Sequence, residues 1–154
     1  MNNHNKMFSA ASAALEYLFK ISKTDNVLIL TDTNSVAIAD AFEKASIRNG
    51  CPVDFYKIEN DQRPLQEIPP GLEKLLPGKT IVLNIIKAYP EEIAFRIKWI
   101  FNVEENKQIK MGHMPGITEE MMMNSVNVDF GRMKTTADML IETLENVVQL
   151  HITT

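Results

Sequence analysis

The sequence has almost no cysteine: Cys51 is the single thiol among 154 residues. A lone cysteine excludes an intrachain disulfide, which is typical of proteins from a reducing compartment. Cys51 precedes Pro52 at the start of a predicted strand. We therefore interpret it as a small buried hydrophobic side chain, and a reactive thiol is the less favoured alternative.

Long hydrophobic runs and an excess of positive charge are also missing. No apolar run approaches the roughly 20 residues that a membrane-spanning helix needs, and the polar N-terminus shows no secretory signal. We therefore expect a soluble, cytoplasmic protein with no membrane partner. The formal net charge of −4 repels a phosphate backbone, so we expect no nucleic-acid partner either.

Histidine is scarce, and no catalytic signature is present. The three histidines, His4, His113 and His151, are scattered along the chain and lack the short spacings of a metal site. No serine has the Gly-x-Ser-x-Gly context of a hydrolase nucleophile, and no glycine-rich phosphate loop occurs. We therefore predict no catalytic residues, no metal ligands and no cofactor-binding residues in this chain.

What the sequence does have is a regular alternation of strands and helices. Continuous apolar runs at residues 27–31 and 80–86 predict strands buried on both faces, as in a parallel sheet. Further strands are predicted at Val53–Ile58 and at residues 108–111 and 147–152. The alternation predicts a single α/β domain with three layers, built on a doubly wound, mostly parallel sheet of about five strands of the Rossmann or flavodoxin type.

Apolar residues three and four positions apart predict the intervening helices. Thr118 and Asp129 precede two of these helices, where their side chains are expected to act as N-caps. The predicted helices are residues 6–23, Val36–Arg48, 71–76, 90–101, 118–123 and 130–146.

In open α/β sheets, ligands bind beyond the carboxyl ends of the strands, so the residues there are candidates for a binding site. Helix N-termini beside these loops are able to hold an anion. The alternative is structural: Asn34 or Ser35 simply caps the helix that begins at Val36. We favour that alternative, because residues 31–35 contain no glycine. The candidate ligand or interface residues are Asp32, Asn34, His113, Met114, Thr118 and Met122.

Two groups of large hydrophobic residues lie on predicted helices. Met121, Met122 and Met123 are consecutive, and three consecutive helical residues span about 200°, so at least one is expected to face outward. They fit the core and a domain or subunit interface equally well. Trp99 and Phe101 are interpreted as core residues rather than as a platform for a ligand.

Two strings of residues resemble a family signature. Residues 114–121 read Met-Pro-Gly-Ile-Thr-Glu-Glu-Met, and residues 126–130 read Val-Asn-Val-Asp-Phe. Together they resemble the N-terminal domain of the thermophilic-type metallo-aminopeptidases, the aminopeptidase T and leucyl aminopeptidase group. The likeness covers most of the chain, although outside these strings it is generic α/β patterning. Dioxygenases that act on hydroxypyridines resemble the same family.

The resemblance implies a domain of a hydrolase-related, metallo-aminopeptidase-like protein. In that family a C-terminal domain binds divalent metals through glutamates, histidines and an aspartate, and those positions have no counterpart here. We therefore expect a non-catalytic domain, either truncated or naturally stand-alone, that scaffolds a catalytic domain and forms a wall on its substrate side. The alternatives are an oligomerisation or interaction module, with a homo-oligomer as the assembly, and a small-ligand binder that uses the strand-end loops.

The chain alone is expected not to hydrolyse aminoacyl substrates, with or without added zinc, cobalt or manganese. Metal-assisted hydrolysis needs an ion that several positioned protein ligands hold. An aminopeptidase assay, combined with isothermal titration of the same metals, tests this expectation. Metal-dependent turnover above the buffer rate that disappears in His113→Ala would contradict it and would assign a metal site to the strand-end loops.

Overall fold

Four parallel strands form the sheet in the computed structural model, which describes residues 2–153. The strands are β1 (Val27–Asp32), β2 (Val53–Ile58), β3 (Ile81–Ile85) and β4 (Lys110–His113). They lie in the order β2-β1-β3-β4, and each neighbouring pair is parallel. Because parallel neighbours cannot be joined by a hairpin, the connections cross over the faces of the sheet.

Helices cover both faces of this sheet, which confirms the predicted α/β class with three layers. The helices of the chain are α1 (Asn3–Ala14), α2 (Val36–Arg48), α3 (Ile93–Glu104), α4 (Glu119–Met121) and α5 (Phe130–Leu144), and of these α5 does not cover the sheet. α1 and α4 each continue into a π-helical turn. The predicted helix at residues 71–76 is only a short 3₁₀ turn. No helix in residues 2–153 has the length and apolarity that crossing a membrane requires.

The two central strands are buried on both faces, as their continuous apolar runs predict. Val27 and Ile29 of β1 contact the core that α1 and α2 cover, whereas Leu28 and Leu30 contact the core around Trp99 of α3. Every position of β1 and β3 is buried, while β2 at the edge is only partly buried. The pattern of residue burial is therefore that of a doubly wound parallel sheet.

The predicted fifth strand at residues 147–152 does not form. In the described part of the chain the sheet has four strands, and this segment is exposed irregular chain. Its residues alternate in polarity as those of a strand do, but a strand needs a neighbour with which to share hydrogen bonds. α5 is itself exposed along its length, so the chain that follows it is not packed against the sheet edge at β4.

One face of α3 is buried, and it separates two aromatic residues that the sequence groups together. Trp99 is buried between Phe95 and Val103, and its Nε1–H donates to Oδ1 of Asn84 at 2.8 Å. Phe101 is 64% exposed, so its interpretation as a core residue is wrong. Two residues along a helix correspond to about 200°, which places Phe101 opposite the buried face.

The direction of the strand order changes between β1 and β3. The chain leaves β1 through α2 toward β2 on one side, and it leaves β3 through α3 toward β4 on the other. The two helices lie on opposite faces of the sheet, so the loops that lead into them diverge. Divergence of this kind opens a crevice at the carboxyl ends of the strands, where ligands bind in open α/β sheets.

Candidate functional site

A crevice of about 460 Å³ lies at the carboxyl ends of β1 and β3. Its walls are the first turn of α2, the chain that follows β3, and the loop between β4 and α4. This volume is in the range of small-molecule sites, roughly 300–1,000 Å³. The polar residues that line the crevice are Asn34, Ser35, Lys87, Thr118 and Glu119.

The first wall is the N-terminus of α2, and it has no side-chain cap. Ser35 occupies the N-cap position, but its side chain accepts no hydrogen bond from the first turn. The prediction that Asn34 or Ser35 caps this helix is therefore wrong. Ser35 is only 4% exposed, and it lines the crevice. An uncapped helix N-terminus combines free N–H groups with a partial positive charge, and both favour an anion.

Asp32, the last residue of β1, connects the first wall to the second. Its side chain is fully buried. Oδ1 accepts a hydrogen bond from the backbone N–H of Asn34 at 2.9 Å, and Oδ2 accepts one from the backbone N–H of Lys87 at 2.6 Å. One carboxylate thus fixes the turn that enters α2 relative to the chain that leaves β3.

Arg63 pairs with Asp32 and connects it to Glu92. The guanidinium donates from Nη1 to Asp32, from Nη2 to Glu92, and from Nε to Oε1 of Glu92 at 2.8 Å. Nη2 also donates to the carbonyl of Lys87 at 2.7 Å, and Glu92 accepts the backbone N–H of Leu65 at 2.9 Å. The planar fork of an arginine suits such simultaneous contacts. We refer to Asp32, Arg63 and Glu92 as the buried ion cluster.

Arg63 is held in its charged form. Burial alone lowers the pKa of Arg63, but hydrogen bonds and charge from Glu92 and Asp32 more than offset this and raise it. The side chain is only 4% exposed, and its guanidinium lies 4.2 Å from the centre of the Tyr89 ring. Stacking on an aromatic face gives a buried guanidinium further electrostatic stabilisation.

The third wall is the loop that carries the first family-like string. Gly116 donates its N–H to the carbonyl of Ile86 at 2.8 Å, which attaches the loop to the end of β3. Its φ of +75° is a conformation that glycine adopts without strain. Thr118 caps α4 as predicted, because its Oγ1 accepts the N–H of Met121 at 3.1 Å. Glu119, the first residue of α4, also lines the crevice.

The structure brings together only some of the six candidate residues. Asn34 and Thr118 line the crevice, and Asp32 is buried beside it. Met114 packs against the core on the α1 and α2 side of the sheet. Met122 is buried in that same core, so it is not accessible to a ligand.

The methionine triplet divides between the core and the surface. Met122 is buried, Met123 packs partly buried against the same core, and Met121 is 51% exposed. The expectation that at least one of the three faces outward is therefore confirmed.

His113, the remaining candidate, lies on the other face of the sheet. β4 begins and ends two residues later than predicted, so His113 is its last residue. Nδ1 of His113 lies 3.3 Å from Nδ2 of Asn84, beside Trp99 of α3. Burial lowers the pKa of His113, and the positive charge of Arg96 lowers it further. The His113 ring therefore lies beside Asn84 and Trp99 on the α3 side of the sheet, away from the crevice.

Metal ligands and reactive thiols are not assembled in the part of the chain that the structure describes. Residues 2–153 contain no group of three or more His, Cys, Asp or Glu side chains arranged to hold a metal ion. Cys51 is buried as predicted, and burial, together with the negative charge of Asp25, raises its pKa. A raised pKa keeps the thiol protonated and weakly nucleophilic.

Sequence reasoning missed Arg63 and Glu92. Arg63 lies in a proline-rich segment that predicts a loop, and Glu92 lies in the first turn of a predicted helix, where the macrodipole already explains an acidic residue. The two residues are 29 positions apart, so no local spacing signals their contact. They meet at the carboxyl ends of β1 and β3, where Arg63 contacts Asp32 and the carbonyl of Lys87.

Comparison with known proteins shows little similarity. No family model matches the chain, and no curated protein is a significant match. Among solved structures, the chain is similar to 2,5-dihydroxypyridine dioxygenase from Pseudomonas putida KT2440, with 15% identity and a TM-score of 0.44. The match covers 59% of this chain and 30% of that enzyme. A likeness this distant assigns neither a family nor an activity.

Replacing Glu92 by glutamine is expected to lower the free energy of unfolding by about 2 kcal/mol, because the glutamine amide nitrogen cannot accept the hydrogen bond that Nη2 of Arg63 donates to Glu92, and a buried donor without its acceptor costs about 1–3 kcal/mol. Glu91→Gln is the matched control, since Glu91 is the exposed neighbour; its effect should stay below about 0.5 kcal/mol. Urea denaturation measures both values. Equal effects of the two substitutions would show that the buried ion cluster does not stabilise the fold.

The lowered pKa of His113 makes part of the stability pH-dependent. Below the ordinary value of 6.5, the unfolded chain binds a proton that the folded chain resists, so acid favours unfolding. The stability that neutral His113 contributes is fully present above pH 6.5, the ordinary pKa. It is lost as the pH falls through the lowered pKa of His113 in the folded state.

His113→Gln is therefore expected to flatten the pH profile of the unfolding free energy between these two pKa values. Urea denaturation at a series of pH values measures the profile. His4→Gln, at an exposed position in α1, serves as the control and should leave the profile unchanged. A His113→Gln profile parallel to that of the original chain would show that His113 does not titrate in this way.

Proposed function

We propose that this chain is a ligand-binding α/β domain whose crevice holds a small molecule by an anionic group at the N-terminus of α2. The observation that carries this proposal is the uncapped first turn of α2, where buried Ser35 lines the crevice. Lys87 lines the adjacent wall of the same crevice. A helix N-terminus, a hydroxyl group and an ammonium group together form a suitable environment for a carboxylate or a phosphate.

The charge on the third wall indicates what else the ligand carries. Glu119 and Lys87 both line the crevice, and the ammonium group of Lys87 lies 5.2 Å from the centre of the Tyr89 ring, so one acidic and one basic residue border the crevice. A simple anion would gain from Lys87 but would be repelled by Glu119. A zwitterion such as a free α-amino acid satisfies both, with its carboxylate at α2 and Lys87 and its ammonium group at Glu119.

Apolar groups complete the lining and suit the side chain of such a ligand. Ala37 and Ile38 of α2 and Ile117 of the third wall contribute to the crevice surface. Sites that bind small molecules commonly combine a largely apolar lining with a few placed polar groups. We therefore favour an amino acid with an aliphatic side chain over a strongly polar one.

The scaffold role that the family resemblance implies is a second proposal, and one observation favours it. The string at residues 114–121 supplies Gly116, Ile117, Thr118 and Glu119 to the third wall. The residues that suggest a metallo-aminopeptidase-like protein are thus the residues that close the crevice. In this proposal the domain contributes a substrate-side wall, and the chemistry is carried out by a separate catalytic domain.

Isothermal titration with free leucine, acetate and inorganic phosphate tests the ligand proposal. We expect saturable binding of leucine that is tighter than the binding of acetate or phosphate. Lys87→Ala should weaken leucine binding by at least about tenfold, because a charge-assisted hydrogen bond contributes about 1.5–3 kcal/mol. Lys74→Ala, at an exposed position outside the crevice lining, is the matched control and should bind leucine as the original chain does.

Two results would contradict this proposal. One is the absence of heat from all three compounds at millimolar concentration. The other is leucine binding that Lys87→Ala and Ser35→Ala leave unchanged, because it would show that the compound binds elsewhere. Phosphate binding tighter than leucine binding would retain the anion site and would overturn the assignment of Glu119 to an ammonium group.

A further inference from the structure

α5 has one buried residue, Phe130, and its next turns border an open groove with Tyr17 and Leu18 of the same chain. Phe130 is buried and stacks on Tyr17, with the ring centroids 5.7 Å apart. Every residue from 131 to 144 is exposed. With 15 residues, α5 is at the length where isolated helices are only marginally stable in water. Most helices gain their stability from packing an apolar face, so α5 lacks its main source of stability.

Six apolar residues form a stripe along one side of α5 that continues past its end at Leu144 to Val147, whereas Met139 and Ile141 lie off this stripe. Leu140 near its middle is 57% exposed. The members of the stripe are separated by three, four, three, four and three positions, which is the heptad spacing of a two-helix seam. They are Phe130, Met133, Ala137, Leu140, Leu144 and Val147. We call this set the α5 seam.

Apart from the N-cap Asp129, the charged residues of α5 oppose its own helix dipole. Arg132 and Lys134 lie in its N-terminal half, whereas Asp138, Glu142 and Glu145 lie in its C-terminal half or just beyond it. Basic residues near the N-terminus and acidic residues near the C-terminus destabilise an isolated helix. A second α5 in the antiparallel direction would place each basic half beside an acidic half. A parallel copy would place like charges together.

We propose that the α5 seam pairs with the α5 seam of a second copy of this chain, in antiparallel orientation. The two-fold axis passes between Ala137 and Leu140. This register sets Ala137 level with Leu140 of the second copy and Met133 level with its Leu144. A heptad has two core positions, and in this register each residue at the first position faces a residue at the second. A two-fold axis makes each of these contacts occur twice. The crevice plays no part in this pairing.

The same register brings one pair of opposite charges to the edge of the interface. Lys134 directly follows Met133, and Glu145 directly follows Leu144. Each is the residue after a seam member, so both fall on the same flank of the helix pair. Within one chain Lys134 pairs with Asp138 at 2.5 Å, and in the dimer its ammonium group is placed between this Asp138 and Glu145 of the other copy. Glu142 lies on the outer side of the helix, away from the seam, and takes no part in this contact.

Sedimentation equilibrium of the full chain tests the pairing. The chain should dimerise, and Leu140→Glu should make it monomeric because it places a charge in the seam. Lys134→Glu and Glu145→Lys should each weaken the dimer by at least about tenfold, since each sets like charges opposite one another. The double variant K134E/E145K reverses both partners and should restore the dimer. Glu142→Lys, on the outer face, is the matched control and should leave the dimer unchanged.

Circular dichroism of each variant establishes that the domain is folded. A monomeric original chain at several hundred micromolar would overturn the proposal and would assign the α5 seam to a different chain or to a further domain. A dimer that survives Leu140→Glu would also overturn it, because its interface would lie elsewhere. A third outcome is that Leu140→Glu abolishes the dimer while K134E/E145K dimerises no better than the two single charge variants. In that case the antiparallel register is wrong.

Discussion

One buried arginine determines the geometry of the strand ends. Arg63 contacts the end of β1 through Asp32, the chain after β3 through the carbonyl of Lys87, and the start of α3 through Glu92. Buried charges are costly unless each is paired and hydrogen-bonded. The loops that carry these groups are therefore restricted to arrangements that satisfy all of them together. Fixing the first two walls of the crevice in this way reduces the entropic cost of binding a ligand there.

The buried ion cluster also bears on the anion site that we propose next to Asp32. Asp32 accepts the N–H of Asn34 at the entrance to α2, so its charge lies close to the helix N-terminus. An unpaired carboxylate there would repel an anionic ligand and would compete for the positive end of the dipole. Arg63 donates to Oδ2 of Asp32, the oxygen that does not contact Asn34, and offsets part of this charge, because the same guanidinium also pairs with Glu92. The partial positive charge of the first turn is thereby left for the crevice.

The sequence predicts features that depend on neighbouring residues, and it fails where distant residues meet. The central strands follow from continuous apolar runs, and Thr118 and Asp129 cap their helices as predicted. The cluster between Arg63 and Glu92 escapes prediction because it joins segments that only the completed sheet brings together. Phe101 fails for a related reason, since hydrophobicity alone does not tell which side of α3 faces the sheet.

The failure of the predicted fifth strand and the exposure of α5 have a common physical origin. A hydrophobic period indicates that a segment packs against something, but it does not indicate whether the partner belongs to the same chain. α5 has the spacing of a buried helix and is nevertheless exposed from residue 131 to residue 144. Its charge arrangement, unfavourable for the isolated helix, becomes favourable beside an antiparallel copy. Because the third wall of the crevice is joined to α5 through α4, its π-helical turn and three further residues, such a copy would be attached to the same segment of chain that closes the crevice.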